Sequence, residues 1–224
     1  MKKNVLKLIL RTASTILLVS IVLIFITPKN SVTNVDSSDI KNLLPFSLSN
    51  NSISYSSIIN TNTPDMSDAA RTEILDKADA MTKVKWTPKY NLPDPNCLYI
   101  FVKGKTYCGI PYSMDISQAT SSNEFLSKIN NSKTLYGNDC SGFVSAAWGI
   151  SRQTTLSLYN AIQTGSKIEG QSLYKISWDD LKPADALLLD NGKGKGHIML
   201  YINTDRKDND SLNVYEQDIP TAIP

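Results

Sequence analysis

Two residues of this chain can do nucleophilic chemistry together. Cys140 lies in the run NDCSG (138–142), and His197 opens the apolar run HIMLYI. A thiol attacks a carbonyl as its thiolate, and a base must take the proton and later return it to the leaving amine. His197 is the single histidine of the sequence, so such a pair has one available imidazole. Asn138 or Asp139 can cap a helix whose first turn holds Cys140. The free amides of a helix start favour a thiolate and can also hold an oxyanion. Gly142 permits close approach. The local pattern fits a buried structural cysteine equally well; His197 downstream favours the reactive alternative. An imidazole working as a base needs an acceptor on its second nitrogen. The run LNVYEQ (212–217) offers Glu216 and Gln217. They point to opposite faces of a regular strand, so one of them faces His197.

The elements that must position these groups are readable from periodicity. Ser67 or Asp68 caps a helix in which Ala69, Ile74, Leu75, Ala78 and Met81 recur at helical spacing, and Pro88 ends the pattern. LYIFVKG (98–104) suits a strand or an approach loop, GIPYS (109–113) is turn chemistry, and residues 123–129 suit a short helix. In the helix that starts at Cys140, Phe143, Ala147 and Ile150 form an apolar face, with Val144 and Trp148 beside it. A further helix is expected over Thr154–Gln163, stopped by Gly165. ADALLLD and HIMLYI have strand length, and the glycine-rich DNGKGKG joins them as a hairpin. LNVYEQ follows the polar loop NTDRKDNDS and can pair antiparallel with HIMLYI, bringing its end beside His197. Helices first and a small antiparallel sheet after them predict an α+β domain over 68–224.

The remaining sequence bounds the setting. The 224 residues carry a net charge of +2, which provides no cationic field for nucleic acid. Residues 1–30 begin with Lys2, Lys3, Lys7 and Arg11. An apolar run over 12–27 follows and closes at Pro28. This is an export signal, and the lack of a small-x-small cleavage site favours a retained signal anchor over a removed signal peptide. The basic flank would stay in the cytoplasm, with the rest of the chain outside. The alternative for this run is a buried core helix. Residues 31–67 are rich in Ser, Asn and Thr and read as a flexible spacer between membrane and wall, with at most a weak strand at Ile53–Ile59. Cys97 and Cys108 admit a disulfide across their loop or two separate half-buried thiols. No His/Cys cluster has metal-ligand spacing, and no cofactor is expected.

NDCSGFVSAAW resembles the nucleophile motif of the NlpC-type papain-like cell-wall cysteine peptidases. LKPADALLLDNGKGKGHIMLYI resembles the second block of that family: a Leu-Lys-Pro-Gly-Asp strand, a hairpin, and Gly-His opening the next strand. Trp86–Pro88 and Gly109–Tyr112 are similar to the Trp-Thr-Pro and Gly-Ile-Pro-Tyr stretches of its amidase-like subgroup. The likeness covers about residues 85–217. It implies a papain-like α+β fold, with the nucleophile at a helix start packed on a small antiparallel sheet. It also implies hydrolysis of amide bonds in peptidoglycan stem peptides; a monomer is expected. Carried over by position, Cys140 is the nucleophile, His197 the base and Glu216 the third residue. Tyr112 would lie by the oxyanion or substrate, and Asp139 and Ser141 where a substrate amine binds. Ala184 replaces the usual glycine, a change expected to matter little. The third residue of the family is commonly His, Asn or Gln, and a further strand is expected beyond LNVYEQ. Two alternatives remain: an amidase or acyltransferase acting on another acyl substrate, and a non-catalytic binding module on the same fold.

Overall fold

Each helix begins where a short polar side chain can take up an orphan amide. In α1 (Asp68–Lys83) the Ser67 hydroxyl accepts from the Ala70 N–H at 3.3 Å, and Ile74, Ala78 and Met81 form the buried face. Ser121 caps α2 (Ser122–Ile129). Asp139 caps α3 (Cys140–Trp148), which Gly149 ends in the left-handed conformation at φ 72°. Thr154 and Ser157 form a reciprocal capping box at the start of α4 (Thr155–Thr164), which Gly165 ends. These caps supply hydrogen bonds that a helix terminus cannot make within itself. The computed structural model describes residues 44–48, 66–95, 98–115, 118–191, 196–204 and 211–223, all of them within the unit Val32–Pro224.

The architecture is α+β. The strands in chain order are β1 (Leu44–Leu48), β2 (Lys85–Trp86), β3 (Leu92–Pro93), β4 (Ile100–Phe101), β5 (Tyr107–Cys108) and β6 (Lys167–Ile168). They continue with β7 (Gln171–Lys175), β8 (Ala186–Asp190), β9 (Gly196–Thr204), β10 (Leu212–Gln217) and β11 (Ala222–Ile223). Seven of them form one antiparallel sheet in the order β11-β10-β9-β8-β1-β7-β6, while β2 pairs with β5 and β3 with β4. The β8–β9 hairpin and its β10 neighbour lie where the apolar runs put them. The further strand beyond LNVYEQ is the two-residue β11. The main core joins Ala186, Leu188, Ile198 and Leu200 of the sheet to Ile74, Phe143, Ala147 and Leu158 of the helices.

Two sequence expectations are corrected here. Residues 31–67 are not a spacer throughout, because Leu44–Leu48 is an interior strand paired with β7 on one side and β8 on the other. It precedes all the described helices, so the order is not simply helices first. Averaging the composition over a polar stretch hid a five-residue alternation, Leu44-Phe46-Leu48, that is sufficient for a strand. The weak strand expected at Ile53–Ile59 lies outside the described residues. The second correction is Ala184, which has φ 71° and is fully buried. That is the left-handed region where a β-carbon costs about 1–3 kcal/mol, so alanine in place of glycine is a strained choice. The position is held from several sides. Ala184 N–H donates to the Tyr201 carbonyl at 2.8 Å, and its own carbonyl accepts from Trp148 Nε1 at 3.0 Å.

Helices and sheet are tied by one buried ion pair. Arg71 of α1 meets Asp185 at 2.7 Å with both side chains almost fully buried, and the same guanidinium donates to the Pro183 carbonyl. Asp185 also accepts from the Lys182 amide at 2.8 Å. Such a pair is costly to break from one side, because the partner is left charged and unpaired. Among the described residues no helix is long and apolar enough to cross a membrane. The expected anchor at 12–27 lies outside them.

Phe46 has no solvent exposure and meets Trp148 edge to face, with ring centroids 5.3 Å apart. Phe46→Ala is therefore expected to destabilise the protein by about 3–5 kcal/mol, the usual loss for a buried phenylalanine. Urea unfolding measures this, and a midpoint equal to wild type would return 44–48 to the role of spacer.

Candidate functional site

The start of α3 is organised around Asp139. Its Oδ1 accepts from the Gly142 N–H at 2.6 Å and from the Ser141 hydroxyl at 3.1 Å, and Arg152 pairs with Oδ2. Gln118 Oε1 accepts from the Asp139 N–H at 2.6 Å. A β-carbon on residue 142 would sit 2.2 Å from that same Gln118 oxygen, so a larger residue there would have to displace the Gln118 side chain from the Asp139 N–H. Cys140 occupies the first helical position and is 8% exposed.

A strap over 109–113 connects this helix start to the sheet. On one side Asn138 N–H donates to the Pro111 carbonyl at 3.1 Å, and Ser113 N–H to the Asn138 carbonyl at 2.8 Å. On the other, Tyr112 N–H donates to the Pro220 carbonyl at 2.9 Å, and Ala222 N–H to the Ile110 carbonyl at 2.8 Å. The packing leaves no room for side chains at two points. A β-carbon at Gly137 would lie 1.8 Å from the Pro111 carbonyl oxygen. One at Gly109, where φ is +81°, would lie 2.4 Å from that of Ala222.

His197 lies near the start of β9, and its Nε2 is 2.9 Å from Glu216 Oε2. Glu216 is in register with Met199, which puts it diagonal to His197 on the same face, within reach of a long side chain. Gln217 alternates away. It is fully buried, and its Nε2 donates to the Ile110 carbonyl at 3.2 Å. Between the two candidates in LNVYEQ, Glu216 is the one that meets the imidazole.

Burial of the ring works against its charged form. The Glu216 carboxylate that accepts from the ring, together with Cys140 and the negative charge both groups can carry, more than offsets it and pushes the His197 pKa up to about 10. With Nε2 on Glu216, Nδ1 is the nitrogen left for the sulfur. Tyr112 completes the cluster. Burial, then the charges of Cys140, Asp139, Asp218 and Asp94, push its phenol up to about 12. The hydroxyl therefore stays protonated at neutral pH and can donate a hydrogen bond.

Cys140, His197, Glu216 and Tyr112 are thus brought together. Asp139 and Ser141, expected to meet a substrate amine, are instead turned inward. Both are buried, and they bond to each other and to the helix start. Their role here is to hold Cys140. Arg152 and Gln118 were not anticipated, since both reach Asp139 from segments remote in sequence and carry no motif. Cys108 is an exposed free thiol whose Sγ lies 3.5 Å from the Thr82 carbonyl, and Cys97 lies outside the described residues. Among the described residues no group of three or more His, Cys, Asp or Glu side chains could hold a metal ion. No family model, curated protein or solved structure matches the chain.

Because the sequence has one histidine, proton NMR of the ring reports His197 alone. Its titration midpoint is expected well above 6.5 in the wild type and lower in both Glu216→Gln and Cys140→Ala. The sign for stability follows from the raised pKa. The contribution of the charged ring is complete below the unfolded value near 6.5 and is lost as pH rises through about 10. A wild-type midpoint at or below 6.5 would show that burial dominates over the two partners.

Proposed function

We propose that this chain is a cysteine hydrolase of the papain-like kind, exported to the outer face of the membrane or the wall. It cleaves amide bonds in the peptides of bacterial peptidoglycan. One observation carries the reading: the chain's single imidazole has a carboxylate 2.9 Å from its Nε2 and is close enough to the helix-start Cys140 for that group to raise its pKa. The motifs NDCSG and Gly-His, in this order, support the substrate class by resemblance.

The reaction needs only protein groups and water. His197 takes the proton of Cys140, and Glu216 stabilises the imidazolium that forms. The thiolate attacks the carbonyl carbon, a C–S bond forms, and the carbonyl electron pair moves to oxygen. The Cys140 amide at the positive end of α3 and the protonated Tyr112 hydroxyl are the donors available to that oxyanion. The C–N bond then breaks, and His197 passes its proton to the leaving amine. Water, deprotonated by His197, attacks the thioester, releases the acid and restores Cys140.

Digestion of purified wall peptides, with product masses determined, tests the proposal. Products should gain one water across an amide bond. Cys140→Ala and His197→Ala should abolish turnover, and Glu216→Ala should lower kcat by roughly a hundredfold, within the range typical of lost acid–base assistance. Gln217→Ala should act mainly through stability, because it loosens the strap at Ile110 and leaves the imidazole contact in place. Wild-type turnover in Cys140→Ala would sink the mechanism. For location, N-terminal sequencing of protein recovered from membranes should find residues 12–27 retained; a start beyond residue 28 would mean a cleaved, released enzyme.

A further inference from the structure

The short β3–β4 hairpin has an inner face that serves the site and an outer face that serves nothing described. Inward, Phe101 is 2% exposed and packs on Trp86 with ring centroids 5.0 Å apart. Tyr99 donates its hydroxyl to the Tyr112 carbonyl at 2.7 Å. Outward, the alternation of a strand should place polar side chains. Here Ile100 of β4 and the flanking Leu98 and Val102 are instead 51%, 68% and 45% exposed. Three exposed aliphatic residues at every second position of a five-residue stretch are more than the scattered apolar exposure of an ordinary surface.

Charge is concentrated in the same stretch. Residues 83–108 contain five lysines and a single acid, Asp94, which is buried. The segment is thus positive by four, while the rest of the chain, with 18 basic and 20 acidic residues, is negative by two. Lys89, Lys103 and Lys105 are exposed around the aliphatic row.

We propose that this hairpin face docks on an anionic lipid surface, independently of whatever reaction the site performs. The aliphatic side chains would enter the headgroup–acyl boundary, while the lysines reach lipid phosphates along their flexible stems. A soluble polyanion would satisfy the lysines but give Leu98, Ile100 and Val102 no apolar partner, so the combination favours a bilayer. Since Tyr99 links the hairpin to Tyr112, docking would also fix the orientation of the site relative to the membrane.

The test is hydrogen exchange of the full chain on vesicles of phosphatidylcholine alone and of phosphatidylcholine with phosphatidylglycerol. Any apolar segment that inserts does so in both, so a difference between them reports on headgroup charge. Amides of 98–107 are expected to exchange several-fold more slowly on the anionic vesicles at low salt, with the effect fading as salt is raised. The slowing should be lost in K103E/K105E, since one lysine at such a surface contributes roughly fivefold in affinity. It should also be lost in L98S/I100S, with circular dichroism unchanged in both variants. Equal exchange on the two vesicle types overturns the proposal. So does slowing that soluble polyglycerol phosphate reproduces and L98S/I100S leaves intact, which would assign the face to a hydrophilic polyanion.

Discussion

The arrangement depends on the strap at 109–113 being held on both edges at once. One edge bonds to the residues that lead into α3, the other to the residues that follow β10. Cys140 directly follows the first group, and the carboxylate that meets His197 lies at the end of β10. Their relative position is therefore set by backbone bonds through four or five residues, and not by side-chain packing alone. Backbone groups have little freedom to adjust, so the spacing is stiff. The close contacts at Gly109 and Gly137 are the steric side of the same constraint. A methyl group at either point would have to push apart the two edges that the bonds hold together.

Gln217 extends this coupling. It follows Glu216 in the same strand and, by alternation, points to the other face, where its amide reaches the Ile110 carbonyl of the strap. One turn of the strand's pleat thus serves both needs: Glu216 orients the ring, and Gln217 anchors the strap that carries Tyr112. A slip of one residue in the β9–β10 register would exchange these roles and lose both contacts. That the pair is a carboxylate followed by an amide has a physical basis. The acid stands where a cation must be stabilised. The amide stands in the core, where a charge would be expensive and a neutral donor suffices.

Much of this was legible in the sequence for identifiable reasons. Ser67, Asp139 and Thr154 announce helix starts because short polar side chains satisfy orphan amides. The β8–β9 hairpin is visible because its strands are continuous apolar runs around a glycine-rich turn. Cys140 and His197 stand out because reactive residue types are scarce in this chain. What stayed hidden is non-local. β1 is too short to register against its polar surroundings, and its place between β7 and β8 depends on long-range pairing. The left-handed φ of Ala184 leaves no trace in composition. The inward turn of Asp139 and Ser141 depends on Arg152 and Gln118, whose approach is a consequence of the tertiary fold.

The Asp139–Arg152 pair bears on how the proposed reaction can use a capping aspartate at all. An aspartate at the helix start satisfies the amide of Gly142, but its charge lies one residue from a thiol that must become an anion. Left alone, it would oppose the field of the helix amides. Arg152 sits on the oxygen of Asp139 that the helix does not use, so the cap keeps its hydrogen bonds while its charge is balanced. The second carboxylate, Glu216, lies 2.9 Å from the His197 ring. It faces the imidazole, where negative charge assists the reaction. The two acids near the thiol thus have different partners: one pairs with Arg152 and holds the helix start, while the other meets His197.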